Sequence, residues 1–284
     1  MKLGFNLLLW TTHVVDEHIP LFERLKATGY DGVEIPLFEG EVAHFSRIAT
    51  KLKDAGLDAT TVTVMPSGRN ATSSDPKLRQ AALDHIKWAA DCSAALGAKV
   101  LSGPFHQPLG EFSGQGATES EKSHCAEVHK EAARYAAKAG VALSIEPLNR
   151  FECYFLNTAA DAAAFVKRVD EPNYGFLYDT FHSHIEEKNQ PAAIRAAGST
   201  INHVHISEND RGAPGTGQVN FPAVFAALKE IGYDGWVTIE AFGQALPDLA
   251  AATRVWRPLF KDPKDVYEVG FRTMRDGLVG AKAG

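Results

Sequence analysis

Short apolar runs alternate with longer stretches of helical periodicity along the whole chain. LGFNLLL (3–9), GVEI (32–35), DATTVTV (58–64), KVLSG (99–103), VALSIE (141–146), YGFLYD (174–179), INHVHI (201–206) and WVTIE (236–240) read as strands. They are short and bounded by turn residues, the pattern of strands buried on both faces. Helical periodicity fills the intervals at 16–28, 43–55, 75–96, 118–139, 158–170, 189–198, 221–231 and 248–260, and a tail at 263–279 reads as a further helix. Ser74-Asp75-Pro76 and Asn157-Thr158 carry helix-start chemistry. Gly29, Gly56, Gly97, Gly140, Gly198 and Gly232 stand where helices should stop.

Eight strands alternating with eight helices predict an α/β chain: one (β/α)8 barrel over residues 1–284, with a C-terminal helical extension. A doubly wound open sheet fits less well, because no GxGxxG opens the first helix. No linker rich in Pro, Gly and Ser divides the chain. GYDG occurs at 29–32 and again at 232–235, both times where a helix hands over to a strand. It reads as one αβ joint used twice. The glycine-rich stretch 103–118 after the fourth strand is the longest expected loop and a candidate lid.

Side chains alternate between the two faces of a strand. In VALSIE, Val141, Leu143 and Ile145 face the helices, so Ser144 and Glu146 face the barrel axis. The same count turns Asp179, His203, His205 and Glu240 inward. Strands five to eight thus each bring one ionisable group to the C-terminal mouth: Glu146, Asp179, His205 and Glu240. That is the end where barrels of this kind keep their active sites. His203 lies one layer deeper and reads as a hydrogen-bonded core histidine. Loop residues just past these strand ends, Arg150, Glu152, His182, His184 and Arg211, could meet a small polar ligand.

Three buried carboxylates in one place repel one another and are costly to desolvate. A divalent cation removes the difficulty. Three carboxylates and an imidazole form a hard, oxygen-rich set suited to Mn²⁺, Mg²⁺ or Co²⁺.

Composition narrows the classes. The net charge is −6, and no lysine- or arginine-rich block marks a nucleic-acid surface. No apolar stretch reaches the length of a membrane span. MKLGFNLLLW is interrupted by Asn6 and followed by a helical pattern, so it reads as a strand rather than a signal peptide. Three widely spaced cysteines, Cys92, Cys125 and Cys153, with no CxxC, suit a reduced, cytoplasmic protein.

The motifs EPLNRFE (146–152), DTFH (179–182), HISENDR (205–211) and IEAF (239–242) resemble those of the D-tagatose 3-epimerase family. That family contains the D-allulose (D-psicose) and L-ribulose 3-epimerases and lies within the xylose-isomerase-like TIM barrels. The likeness spans nearly the whole chain. It implies one divalent metal, usually Mn²⁺, on Glu146, Asp179, His205 and Glu240, the same four residues that strand alternation brings together. It further implies that Glu152, His182 and Arg211 hold the sugar near its carbonyl end, that Glu34 assists this network, and that Asn6, the loop from Pro104 to Leu109 and Phe242 line the pocket for the distal carbons.

The activity implied is reversible inversion at C3 of free ketoses, such as D-tagatose and D-sorbose, D-fructose and D-allulose, or L-ribulose and L-xylulose. Glu146 and Glu240 would be the catalytic acid–base pair, and the enzyme a homodimer or homotetramer. The alternative reactions are aldose–ketose isomerisation on the same barrel, as in hydroxypyruvate or rhamnose isomerases, endonuclease IV-like phosphodiester cleavage, and non-catalytic sugar binding. The phosphodiesterase calls for more histidines at the strand ends and a basic surface, and neither is evident.

Overall fold

The structure is a computed structural model that describes residues 1–280. Eight strands, β1 (Lys2–Asn6), β2 (Gly32–Pro36), β3 (Asp58–Val62), β4 (Val100–Gly103), β5 (Ala142–Ile145), β6 (Tyr174–Asp179), β7 (Ile201–Ile206) and β8 (Trp236–Ile239), close in chain order into a parallel barrel. The helices are α1 (Ile19–Thr28), α2 (Val42–Ala55), α3 (Pro76–Leu96), α4 (Glu119–Ala137), α5 (Ala159–Val169), α6 (Thr180–Glu186), α7 (Gln190–Ala197), α8 (Phe221–Glu230), α9 (Pro247–Ala252) and α10 (Pro263–Gly280). Among the described residues no helix is long and apolar enough to cross a membrane.

The outward strand residues, among them Phe5, Val33, Leu101, Leu143, Ile145, Phe176, Val204, Val237 and Ile239, are all buried under the helices. Each such side chain contributes roughly 1.5–3 kcal/mol on leaving water. The inward face is unlike the usual apolar filling of a barrel. Register pairs Asn6 with Glu34 and Glu34 with Thr60, then Ser102 with Ser144, and Asp179 with His205 and His205 with Thr238. All of these polar residues are buried. The core that holds the fold together is therefore the shell between strands and helices, and the barrel's interior is left for polar groups.

Helix starts follow the expected chemistry. Asp75 caps α3 through Lys77 N at 2.8 Å, and Thr158 and Asp161 form a capping box on α5. In the first GYDG joint, Gly29 caps α1 with φ +118° and Asp31 accepts Leu3 N at 2.8 Å. In the second, Gly232 has φ +71° and Asp234 meets the N-terminal ammonium at 2.6 Å. The two copies are one kind of joint with different aspartate partners.

Several expected boundaries shift and one helix is new. The first strand stops at Asn6, because its side chain accepts Leu8 N at 2.9 Å and turns Leu7–Leu9 into a 3₁₀ segment. The third strand ends at Val62 rather than Val64. Helix α6 follows directly on Asp179, which caps it through Phe181 N at 2.6 Å; seven residues are too few to show helical periodicity in the sequence. The expected helix over 248–260 shrinks to α9, ending before the left-handed Arg254 at φ +61°. The tail takes over its place in the ring: α10 packs against α8 and α1, and Tyr30 Oη donates to Tyr267 O at 2.7 Å.

Gly103 at the end of β4 joins two strands to the mouth. Its carbonyl accepts Glu146 N at 3.0 Å, its φ is +124°, and a Cβ there would lie 2.1 Å from Thr63 O. Gly97 also has positive φ, but a Cβ there meets nothing within 4 Å. Gly103→Ala is therefore expected to cost about 2–4 kcal/mol, from backbone strain plus a collision with a carbonyl that cannot move away. Gly97→Ala is expected to cost only about 1–2 kcal/mol. Urea unfolding of the two variants measures the difference; equal losses would contradict the close-approach account.

Candidate active site

Glu146 follows β5, Asp179 ends β6, His205 lies on β7 and Glu240 follows β8. All four are buried at the same end of the barrel. Asp179 uses Oδ1 to cap α6, while Oδ2 accepts Ser207 Oγ at 3.2 Å and lies 3.8 Å from His205 Nδ1. His205 Nδ1 is also 3.4 Å from Glu240 Oε1, yet has no hydrogen-bond partner among the described residues. Atoms of Asp179, His205 and Glu240 lie within 4.8 Å of one another, the spacing of metal ligands. Glu146 belongs to a second such group with Asp179 and His182, so the two groups share Asp179.

Arg211 joins the carboxylates. Its guanidinium donates to Glu240 Oε2 at 2.7 Å and lies 3.7 Å from both Asp179 Oδ2 and Glu152 Oε1. It is sandwiched between the Phe181 ring at 3.8 Å and the Phe242 ring at 4.9 Å. Its backbone is left-handed at φ +68°, a conformation that costs about 1 kcal/mol or more for a non-glycine residue. Glu208 holds the loop in that shape. It is fully buried and accepts the backbone N–H groups of Asn209, Gly215, Gln218 and Val219 at 2.8–3.0 Å.

His182 presents a donor toward Arg211 and Glu146. Its Nδ1 accepts Asn149 N at 3.0 Å, so in the neutral ring Nε2 carries the proton. That N–H faces the Nη2 donor of Arg211 at 3.1 Å. Glu146 Oε1 lies 3.6 Å from the same Nε2, so His182 joins Arg211 to the Glu146 carboxylate. Glu152 stands beside them and accepts Asn149 Nδ2 at 2.9 Å.

The electrostatics of the protein alone separate the two glutamates. Burial first, and the nearby Glu240 second, push the Glu146 carboxyl well above its ordinary range. Burial also acts against ionisation of Glu240, but His205 and Arg211 outweigh it and lower its pKa. Burial raises Asp179 to about 6 despite Arg211. Burial would lower His205, yet Glu34 and Glu240 on either side hold it well above its usual value. Burial and the Arg211 charge keep His182 neutral.

Glu146, Glu240, His182, Arg211, Glu152 and Phe242 border a cavity of about 150 Å³. Leu8, Phe38, Val62, Val64, Leu109 and Leu249 are among its other lining residues, so polar and apolar groups both border the cavity. Pro104 and Leu109 bring the expected loop to it. Two expected pocket residues are placed elsewhere. Glu34 and Asn6 are fully enclosed beneath the mouth and do not border the cavity, because their polar atoms are engaged with each other and with the strand residues around them. His203 is the expected core histidine, 2.8 Å from Glu34 through Nε2. Arg150 pairs with Glu186 at 3.0 Å instead of meeting the cavity.

Asn149, Glu208 and the apolar wall outside the 104–109 loop and Phe242 escape the sequence reading. Asn149 and Glu208 sit inside the quoted motifs but look there like ordinary loop polar residues, and nothing in their spacing shows that they are buried. The wall residues come from β3, four loops and α9, a convergence that no local pattern signals.

The family described as xylose isomerase-like TIM barrel matches residues 22–275. The ketose 3-epimerase of Arthrobacter globiformis is 31% identical over 99% of this chain and 98% of its own length. The L-ribulose 3-epimerase of Methylomonas sp. (strain DH-1) is 33% identical over 84% of each chain. Among solved structures, a D-allulose 3-epimerase from Methylomonas sp. in complex with D-allulose superposes with a TM-score of 0.90 at 30% identity, covering 97% of this chain and 96% of that one. By sequence along nearly its whole length and by its closed parallel barrel, the chain belongs to the xylose isomerase-like TIM barrel family and is an isomerase of its ketose 3-epimerase group.

Proposed function

We propose that the protein is a metal-dependent 3-epimerase of free ketohexoses and ketopentoses, with Glu146 and Glu240 as its two proton-transfer groups. The observation that carries this reading is their placement: two buried carboxylates at one cavity, at the ends of strands three positions apart in the ring, with Asp179 and His205 on the strands between. The names of the relatives, ketose, L-ribulose and D-allulose 3-epimerases, support the substrate class.

Glu146, Asp179, His205 and Glu240 fit a divalent cation. Asp179, His205 and Glu240 have ligand spacing to one another, Glu146 has that spacing to Asp179, and the buried Nδ1 of His205 faces two carboxylates with no other partner. The set suits Mn²⁺, with Co²⁺ or Mg²⁺ as alternatives. Bound there, the cation supplies Lewis-acid polarisation of the ketose carbonyl.

The C3 proton of a ketose is acidic because it lies next to the C2 carbonyl. One glutamate takes that proton from one face, leaving an enediolate, and the other returns a proton to the opposite face. The opposite displacement of the two carboxyl pKa values supports this division into base and acid. His182 Nε2 and Arg211 Nη2 donate to the oxygen that gains charge, and Glu152 accepts from a neighbouring hydroxyl. Arg211 is the one guanidinium among the described lining residues and no lysine joins it, so the cavity offers no separate phosphate site. That favours free over phosphorylated sugars.

Incubation with Mn²⁺ and D-fructose, D-tagatose or L-ribulose, followed by separation of the sugars, is expected to yield the C3 epimer. An aldose product would instead support carbonyl transfer between C1 and C2. Glu146→Gln and Glu240→Gln are each expected to lower kcat on the order of 10³-fold while retaining measurable Mn²⁺ binding. Near-wild-type turnover by Glu240→Gln would sink the two-base account.

Asp179 keeps its proton up to about pH 6 in the protein alone, so below that pH a cation must displace this proton in addition to those that the raised pKa values of Glu146 and His205 retain. Mn²⁺ affinity, measured by calorimetry, is therefore expected to fall as pH drops below about 6. An affinity that stays flat to about pH 5 would contradict this.

A further inference from the structure

Beneath the cavity lies a carboxylate that no step above uses. Glu34, inward on β2 and wholly enclosed, has five donor groups within hydrogen-bond distance. Oε1 accepts Thr60 Oγ1 at 3.0 Å and His203 Nε2 at 2.8 Å, and shares the Ser102 hydroxyl, 3.2 Å away, with Thr61 O at 3.0 Å. Oε2 accepts Asn6 Nδ2 at 2.9 Å and His205 Nε2 at 2.6 Å. Five donors around one carboxylate compensate its burial and hold it ionised.

Two consequences reach the mouth. An ionised Glu34 needs the proton of His205 on Nε2, and this directs the Nδ1 lone pair of the neutral ring at the gap beside Asp179 and Glu240. The second runs through Asn6. Its Oδ1 accepts Leu8 N at 2.9 Å, so its amide is not free to flip, and its Nδ2 bridges Glu34 Oε2 to Glu240 Oε1 at 3.1 Å. One side chain thereby orients an imidazole directly and a carboxylate at one remove.

We propose that Glu34 is the positioning residue of this site: lying outside the cavity, it fixes the tautomer and ring orientation of His205 and, through Asn6, the carboxylate of Glu240. The inference rests on the metal reading above. Glu34, His203 and His205 also have the spacing of a metal-ligand group of their own. A cation there would face the Asn6 amide N–H, a donor that cannot turn away, so the arrangement is one of hydrogen bonds. Carboxylates behind metal-bound histidines act in this way, and their loss costs 10–100-fold in metal affinity.

The test is Mn²⁺ titration of metal-stripped protein, following free Mn²⁺ by electron paramagnetic resonance. Glu34→Gln is expected to bind Mn²⁺ about 10–100-fold more weakly than wild type. Thr60→Val, which removes one donor from Oε1 and leaves His205 untouched, is expected to bind within about threefold. If wild type binds no Mn²⁺, the metal reading falls and this inference with it. If wild type binds and Glu34→Gln matches it within threefold, only the inference is overturned. Should Glu34→Gln fail to fold, long-range ¹H–¹⁵N correlation spectra of Mg²⁺-loaded wild type with ¹⁵N-labelled histidine read the tautomer directly. A protonated Nε2 and unprotonated Nδ1 on His205 support the role; a protonated Nδ1 overturns it.

Discussion

The mouth of this barrel is organised by the mutual repulsion of three buried carboxylates. Glu146, Asp179 and Glu240 are almost wholly out of water and close enough for each to shift the ionisation of another. Such a group persists only if positive charge stands among it. Arg211 supplies part of that charge, held over Glu240 between two aromatic rings. On the proposed reading a divalent cation supplies the rest, and the need to neutralise the carboxylates is also what readies the site to polarise a ketose.

The surrounding structure keeps these charges from relaxing away from one another. Glu208 ties the loop that carries Arg211, Asp179 is locked by capping α6, and the Glu146 backbone is pinned to the Gly103 carbonyl. Glu34 closes the floor with five donors. These polar ties set the shape of the mouth, and the bulk of the stability lies elsewhere. The apolar shell between strands and helices carries that load, which leaves the barrel's axis for chemistry.

Most of the fold is legible because its signals are local. Strands buried on both faces are continuous apolar runs, and Asp75, Thr158 and the helix-ending glycines mark where the helices begin and end. The candidate ligands are legible for a second reason. Strand alternation is a strict period of two, so one inward residue such as Glu146 determines the rest of its strand. What is not legible depends on contacts between distant segments. The sequence does not show that α10 rather than 248–260 fills the gap between α8 and α1, because both stretches have helical periodicity and the choice turns on packing. Nor does it show that Glu34 and Asn6 lie below the cavity while Glu152 and Arg211 line it. All four are polar residues near strand ends, and only the closed barrel sets their depth. Glu208 is the sharpest case: a loop glutamate between Ser207 and Asn209 looks solvated, and its burial follows from a loop folding back over it.

The central claim is that Glu146, Asp179, His205 and Glu240 together hold one cation at the cavity. Crystals of the Mn²⁺-loaded protein, measured at a wavelength where manganese scatters anomalously, locate the ion directly. The account predicts a single peak per chain, about 2–2.3 Å from a carboxylate oxygen of each of the three acids and from His205 Nδ1. A peak beside Glu34 and His203, or none within coordination distance of Glu146 and Glu240, would contradict it.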